Sequence, residues 1–303
     1  MTKRVVHGLP ISGIDPETDK PAIDSLAGGS FLATYYYTRP GQKKISDEQI
    51  DRAIELVGDD EVFFLDNGAF TAYRSGEPIH EDPDYIDGFY DWAESVMDRC
   101  PQAVAIVPDV IGGTAEQNWE LASQLPWDPM RSCYVWHLHE PLEVLKRIIE
   151  EGYAYIGFGS SEKYWKVNSP IWQDRIDAAF AYLDELFADE DFAQTYVRPQ
   201  IHMLRGISVQ HAYRFDSADS VNLAINWNRQ RKKSNEQLGA FRARVESKAS
   251  QGDVFGDQSA WGTPADAGRY AGYRNAQLHL LAYQAELRAN DLTYIPPQFR
   301  RAA

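Results

Sequence analysis

Residues 62–70 read V-F-F-L-D-N-G-A-F: four apolar side chains, then a carboxylate, then an Asn-Gly pair. A short run rich in β-branched and aromatic residues reads as a buried strand, and Asn67-Gly68 is the turn chemistry that stops it. The pattern repeats along the chain. Runs of the same kind occupy 31–37, 103–109, 133–139, 154–159, 200–205 and 217–221. Segments with helical spacing lie between them at 47–57, 85–98, 115–124, 141–150, 171–187 and 208–213. Strand, helix, strand repeated this often predicts a parallel sheet. Seven or eight such units in roughly 250 residues predict its closed form, a (β/α)8 TIM-like barrel. A helix over 265–290 would close that barrel, and the polar, glycine-containing stretch 234–262 reads as an insertion ahead of it. No linker or composition shift divides residues 1–303, so a single domain is expected.

Composition narrows the function. With 45 acidic and 30 basic residues the formal charge is −15, while 44% hydrophobic and 13% aromatic content excludes a disordered chain. No apolar run approaches the roughly 18 residues of a membrane span, and no apolar signal core follows Lys3 and Arg4, so a soluble, cytoplasmic protein without a membrane partner is expected. Cys100 and Cys133 stand in neither a disulfide framework nor a zinc-ligand spacing, which predicts no metal. No G-x-G-x-x-G follows the first strand and no phosphate-binding P-loop occurs, so no cofactor is expected. The acidic balance disfavours nonspecific polyanion binding, but residues 229–233 read R-Q-R-K-K, the densest basic run. Arg229, Arg231, Lys232 and Lys233 are therefore candidate phosphate contacts.

In a barrel of this kind the C-terminal ends of the strands carry the chemistry. Four of the runs end in polar residues: Asp66, Asp109, the pair His137 and His139, and Asp216 with Asp219. A carboxylate after an apolar run is costly to bury unless it is paired or used. Each has a structural reading too. Asp66 before Asn67-Gly68 is equally a turn or cap residue, Asp109 is equally the cap of a helix beginning near Thr114, and either histidine is equally a satisfied structural one. Asp216 and Asp219 are three apart and cannot share one face of a straight strand, so one of them is structural.

The order of these motifs resembles the tRNA-guanine transglycosylases. Asp66-Asn67-Gly68-Ala69-Phe70 is similar to their D-S-G-G-F/Y loop, and Asp109 falls at their base-recognising aspartate. Residues 155–159, Y-I-G-F-G, resemble their glycine strand; 203–208, M-L-R-G-I-S, their L-M-G-V-G-T; and 214–221, R-F-D-S-A-D-S-V, their G-V-D-M-F-D-C-V. The match is collinear from about residue 31 to 231. It lacks the family's C-x-C-x-x-C zinc module, which makes the chain most similar to the DNA 7-deazaguanine transglycosylases of phages and bacterial modification islands.

That resemblance implies Asp219 as nucleophile and Asp66 as general acid/base. It implies Asp109, Phe70, Asn67, Gly68, His137, Gly157, Gly159, Arg205 and Gly206 around the base, with Phe70 stacking on it and Asp109 reading its edge. Arg205 stands where the family has a stacking methionine and His137 where it has a glutamine; Arg229 and Arg231 remain where its P-T-R-x-x-R would be. The implied activity exchanges guanine in DNA for a 7-deazaguanine such as 7-cyano-7-deazaguanine, through a covalent aspartyl-sugar intermediate. DNA and the free base are the implied partners, with a helper subunit or a homodimer mate left open, in the host cytoplasm if the chain is phage-encoded. Two alternatives stay open: exchange in tRNA, and a two-carboxylate glycoside hydrolase in which Trp136 and Trp165 line a sugar site.

Overall fold

The computed structural model describes residues 3–15, 18–221, 224 and 238–250. It is a closed barrel of eight parallel strands. They are β1 (Arg4–Gly8), β2 (Ser30–Thr34), β3 (Phe63–Asp66), β4 (Ala103–Ile106), β5 (Ser132–His137), β6 (Tyr155–Gly159), β7 (Gln200–Met203) and β8 (Ser217–Ser220). Each pairs with the next, and β1 closes the ring by pairing β8, with Val6 beside Asp219. The helices are α1 (Asp47–Leu56), α2 (Ala69–Arg74), α3 (Pro83–Met97), α4 (Ala115–Ala122), α5 (Glu143–Glu150), α6 (Pro170–Ala188), α7 (Glu190–Thr195) and α8 (Leu238–Ser250). Among the described residues no helix is long and apolar enough to cross a membrane.

Alternation along the strands sorts the core into layers. Val6, Leu32, Phe64, Val104, Cys133 and Val135 form one cluster, separate from Phe31, Ala33, Phe63 and Leu65, which pack with α1 and α3, and from Trp136, Phe158 and Phe180. This cluster, which also holds Val62, Ile106 and Tyr155, fills the inside of the barrel.

The first strand, β1, falls outside the runs read from sequence, because R-V-V-H-G has only two β-branched residues and no long apolar stretch. Other boundaries move inward. The run 103–109 ends as strand at Ile106, since Pro108 has no N–H to continue the ladder, and 31–37 gives way after Thr34 to a 3-10 turn over Tyr35–Tyr37. The helix expected over 208–213 is a single 3-10 turn, Gln210–Ala212, whose Gln210 amide instead donates to the Arg4 carbonyl at 2.7 Å. Within the stretch expected as an insertion, α8 packs on the barrel: Leu238, Phe241 and Val245 are buried. Each such side chain contributes about 1.5–3 kcal/mol, more than the Arg242–Glu246 pair on the same helix, so the apolar stripe docks it. The helix expected over 265–290 and the basic residues Arg229, Arg231, Lys232 and Lys233 lie outside the described residues.

Candidate active site

The third strand delivers Asp66 to the barrel mouth, and the turn after it is built around a glycine that nothing else replaces. Gly68 has φ +84°, and a Cβ there would sit 2.7 Å from Tyr36 Cβ and 2.9 Å from Thr34 Oγ1. Asn67 is buried beneath this turn. Its amide donates to the Ile106 and Val107 carbonyls at 3.2 and 3.0 Å, its Oδ1 accepts the Ala69 N–H at 2.7 Å, and its own carbonyl accepts the Tyr85 hydroxyl at 2.6 Å. All its side-chain groups are committed to backbone, so Asn67 shapes the turn instead of meeting a base. The N-cap of α2 is Gly68, with no side-chain capping bond, so Asp66 is not the helix cap.

Asp66 is partly exposed at the mouth. Its carboxyl is raised to about 6, first by burial and then by Asp109 and Asp219, against the Thr34 hydroxyl and Gly68 N–H, which pull it down. Three carboxylates from three strand ends thus feel one another. Asp109 and Asp219 are both buried at the same end of the barrel. Asp109 does not cap α4, because Thr114 does: its hydroxyl accepts the Gln117 N–H at 3.3 Å while Gln117 answers on the Thr114 N–H at 2.9 Å. Of the pair near β8, Asp216 is structural, accepting the Ile201 N–H at 2.7 Å, and Asp219 points into the site, accepting the Arg205 N–H.

Arg205 is the cation at the centre. It holds φ +56°, a left-handed conformation uncommon outside glycine, and its guanidinium lies 3.5 Å from the Phe70 ring centroid. Burial lowers its pKa, Asp219 and Asp66 raise it, Arg74 lowers it and Asp109 raises it, a set that maps the groups around it. Phe70 and Arg205, each expected to stack on the base, are here stacked on one another. Gly206, in contrast, is packing: a Cβ there would fall 2.0 Å from Met203 Cγ.

His137 ends β5 and faces Asp109, Nε2 to Oδ2, at 3.0 Å. Burial depresses the imidazole, but Asp109 and Glu140 outweigh it and the net pKa is raised. Gly159 makes room for it, since a Cβ there would lie 3.2 Å from His137 Nδ1. Gly157 is lower, against Cys133 and Leu204 in the barrel interior. His139 is a loop tie, its two nitrogens 2.7 Å from Ser161 Oγ and 2.9 Å from the Gly113 carbonyl.

Sequence reading misses the layer behind these residues. Buried Glu140 accepts the Asn118 amide at 2.7 Å and the His137 N–H at 3.2 Å, and Asn118 Oδ1 accepts the Val110 N–H at 2.7 Å, which fixes the loop carrying Asp109. Buried His202 lies 3.5 Å from Asp219. A lone polar residue inside a short apolar strand is the available signal for His202; Glu140, in a turn before Pro141, gives none. Trp136 is fully buried with its indole N–H on the Pro141 carbonyl at 3.2 Å, and Trp165 is 71% exposed, so the two do not line a common sugar site. Among the described residues no group of three or more His, Cys, Asp or Glu side chains is arranged to hold a metal ion.

No family model matches the chain, and no curated protein matches it either. Solved structures do: Mycobacterium tuberculosis tryptophan synthase in space group F222 is 14% identical, with 84% of this chain and 93% of that one covered and a TM-score of 0.44. The tryptophan synthase A-subunit from the hyperthermophile Pyrococcus furiosus is 12% identical, with 82% and 97% covered and a TM-score of 0.40.

Proposed function

We propose that the chain is a DNA-guanine transglycosylase that exchanges guanine for a 7-deazaguanine such as 7-cyano-7-deazaguanine through a covalent aspartyl-sugar intermediate. One observation carries the reading: Asp66, Asp109 and Asp219 meet at one mouth beside Phe70, with the Asp66 carboxyl pushed up to about 6. Base exchange with retained configuration needs a carboxylate nucleophile and a second carboxyl that gives and takes a proton near neutrality. Asp219 attacks the anomeric carbon while Asp66 protonates the departing guanine. Asp66 then deprotonates the incoming base as that base displaces Asp219. Asp109, anchored by His137, reads the base edge, and the base reaches this depth only when flipped out of the duplex or taken from a single strand. It stacks on Phe70, so the Arg205 guanidinium must lift off the ring to admit it.

The test is incubation with guanine-containing DNA, with tRNA and with labelled 7-cyano-7-deazaguanine, followed by nucleoside mass spectrometry. Incorporation into DNA, and a protein–DNA adduct lost in Asp219→Ala, are expected. Incorporation into tRNA alone selects the tRNA reading, and an adduct that survives Asp219→Ala sinks both.

A further inference from the structure

Beneath the mouth one buried histidine has no part in the exchange just described. The His202 ring is inaccessible to solvent and its centroid lies 4.4 Å from that of Phe64. Nδ1 is 2.8 Å from Ser217 Oγ, and Nε2 is 3.5 Å from Asp219 Oδ1. Strand geometry sets this up. His202 is in register with Ser217, and Ser217 and Asp219, two residues apart, share one face of β8.

A buried imidazole is costly unless its nitrogens are used. The Asp219 carboxylate only accepts, so the nitrogen that faces it carries the proton; Nδ1 then lacks one and accepts from the Ser217 hydroxyl. Asp219 Oδ1 also accepts the Arg205 N–H. The Arg205 amide is the hydrogen-bond donor to that oxygen, and the His202 Nε2 faces the same oxygen across 3.5 Å without a hydrogen bond, so its N–H acts on the carboxylate as a dipole.

We infer that His202 is a positioning residue for the nucleophile: together with the Arg205 amide it holds Asp219 by Oδ1, which leaves Oδ2 as the oxygen that attacks the sugar. The inference rests on Asp219 being the nucleophile. In the attack the Oδ2–C1′ bond forms as the C1′–N9 bond breaks, and the electron pair of that bond leaves on the guanine, which Asp66 protonates. Oδ1 becomes the ester carbonyl. In the return step the incoming base, deprotonated by Asp66, bonds to C1′ and the ester electron pair goes back to the carboxylate, whose Oδ1 faces the Arg205 amide and the His202 N–H again.

Exchange of radiolabelled guanine into a guanine-containing single-stranded DNA, with the full chain, reads this out. His202→Phe keeps the packing on Phe64 and is expected to lower kcat roughly 3- to 10-fold, the worth of a long polar contact to a charged group, with KM for DNA moving less than about twofold. His202→Gln, which can return an N–H near the Nε2 position, should recover most of the loss. A folded His202→Phe protein with the wild-type kcat overturns the inference while wild-type exchange leaves the parent reading standing. A wild type that exchanges no base removes the parent reading, and the inference with it. Histidine 15N spectra test the contact without turnover: His202 should be the Nε2-protonated tautomer, and Asp219→Asn should shift its signals. An Nδ1-protonated tautomer in the wild type overturns the inference.

Discussion

Two aspartate–histidine pairs stand on opposite sides of the barrel mouth, and their surroundings differ. Asp109 and His137, from the ends of β4 and β5, approach to 3.0 Å and are backed by a further carboxylate, Glu140, which accepts the His137 N–H. Asp219 and His202, from β8 and β7, are 3.5 Å apart and are backed by a neutral hydroxyl, Ser217, and a phenyl ring, Phe64. The first arrangement draws a proton onto the imidazole. The second offers a dipole to Asp219, the carboxylate that attacks in the proposed exchange. Under that proposal the same two residue types serve recognition on one side and orientation on the other, and the groups behind the histidine make the difference.

The sharpest break in that comparison is removal of the two aspartates one at a time. Asp219→Asn should cost at least roughly 10³-fold in kcat, whereas Asp109→Asn should mainly raise KM, by roughly 10- to 100-fold, in steady-state exchange assays. Equal losses in kcat would erase the division of labour.

Between the pairs, Asp66 supplies a pH signature. Its carboxyl is pushed up from an ordinary value near 4 to about 6, mainly by burial, so the folded state holds this proton more tightly than the unfolded chain. The stability tied to it is present below pH 4 or so and is lost as pH rises through 6. Asp66→Asn should therefore be more stable than the wild type at pH 7 by about 1–3 kcal/mol in urea unfolding, with the gap closing toward pH 4, while exchange activity falls roughly 10²- to 10⁴-fold. A neutral-pH destabilisation would show that Asp66 is not strained by burial.

His137 has the same sign as Asp66 but a different cause, and it acts at higher pH. Its pKa is raised because Asp109 and Glu140 outweigh burial, so its contribution is full below about pH 6.5 and fades as pH rises. The stability difference between wild type and His137→Gln, on the order of 1 kcal/mol, should shrink from pH 6 to pH 9 in the same assay. The smallest effect belongs to the stack between the pairs: Arg205→Ala should lower stability by about 0.5–1 kcal/mol on thermal unfolding, the worth of an exposed cation on an aromatic face.

The residues that sequence makes legible are those whose signal is local. Asp66 ends an apolar run and is readable as a strand-end carboxylate, Asp219 stands out only through the motif resemblance, and seven of the eight strands are readable as runs. What sequence leaves undivided is the turn Asn67-Gly68-Ala69-Phe70. Only the fold shows that Asn67 is consumed by the Ile106 and Val107 carbonyls, thirty-nine and forty residues away, while Phe70 is left facing Arg205. Glu140 is silent and His202 shows only as a polar residue within a strand, because the partners of both are set by which strands are neighbours, and neighbours in a barrel are not coded by spacing along the chain. Strand β1 goes unread because a five-residue strand buried on both sides by others needs little hydrophobic signal of its own.

That strand has a consequence for how the enzyme comes into being on the ribosome. Strand β1 is the first made and β8 the last, yet Val6 and Asp219 sit side by side, and the buried His7 on the outer face of β1 meets Glu246 on α8 at 2.9 Å. Until β8 has emerged, the ring is open and Asp219 is absent from the mouth. With Asp219 as the proposed nucleophile, a nascent or prematurely ended chain already carries Asp66, Asp109 and Phe70 but lacks the carboxylate that would attack a sugar. On that proposal, completion of β8 is itself the safeguard against half-made protein acting on a polymer.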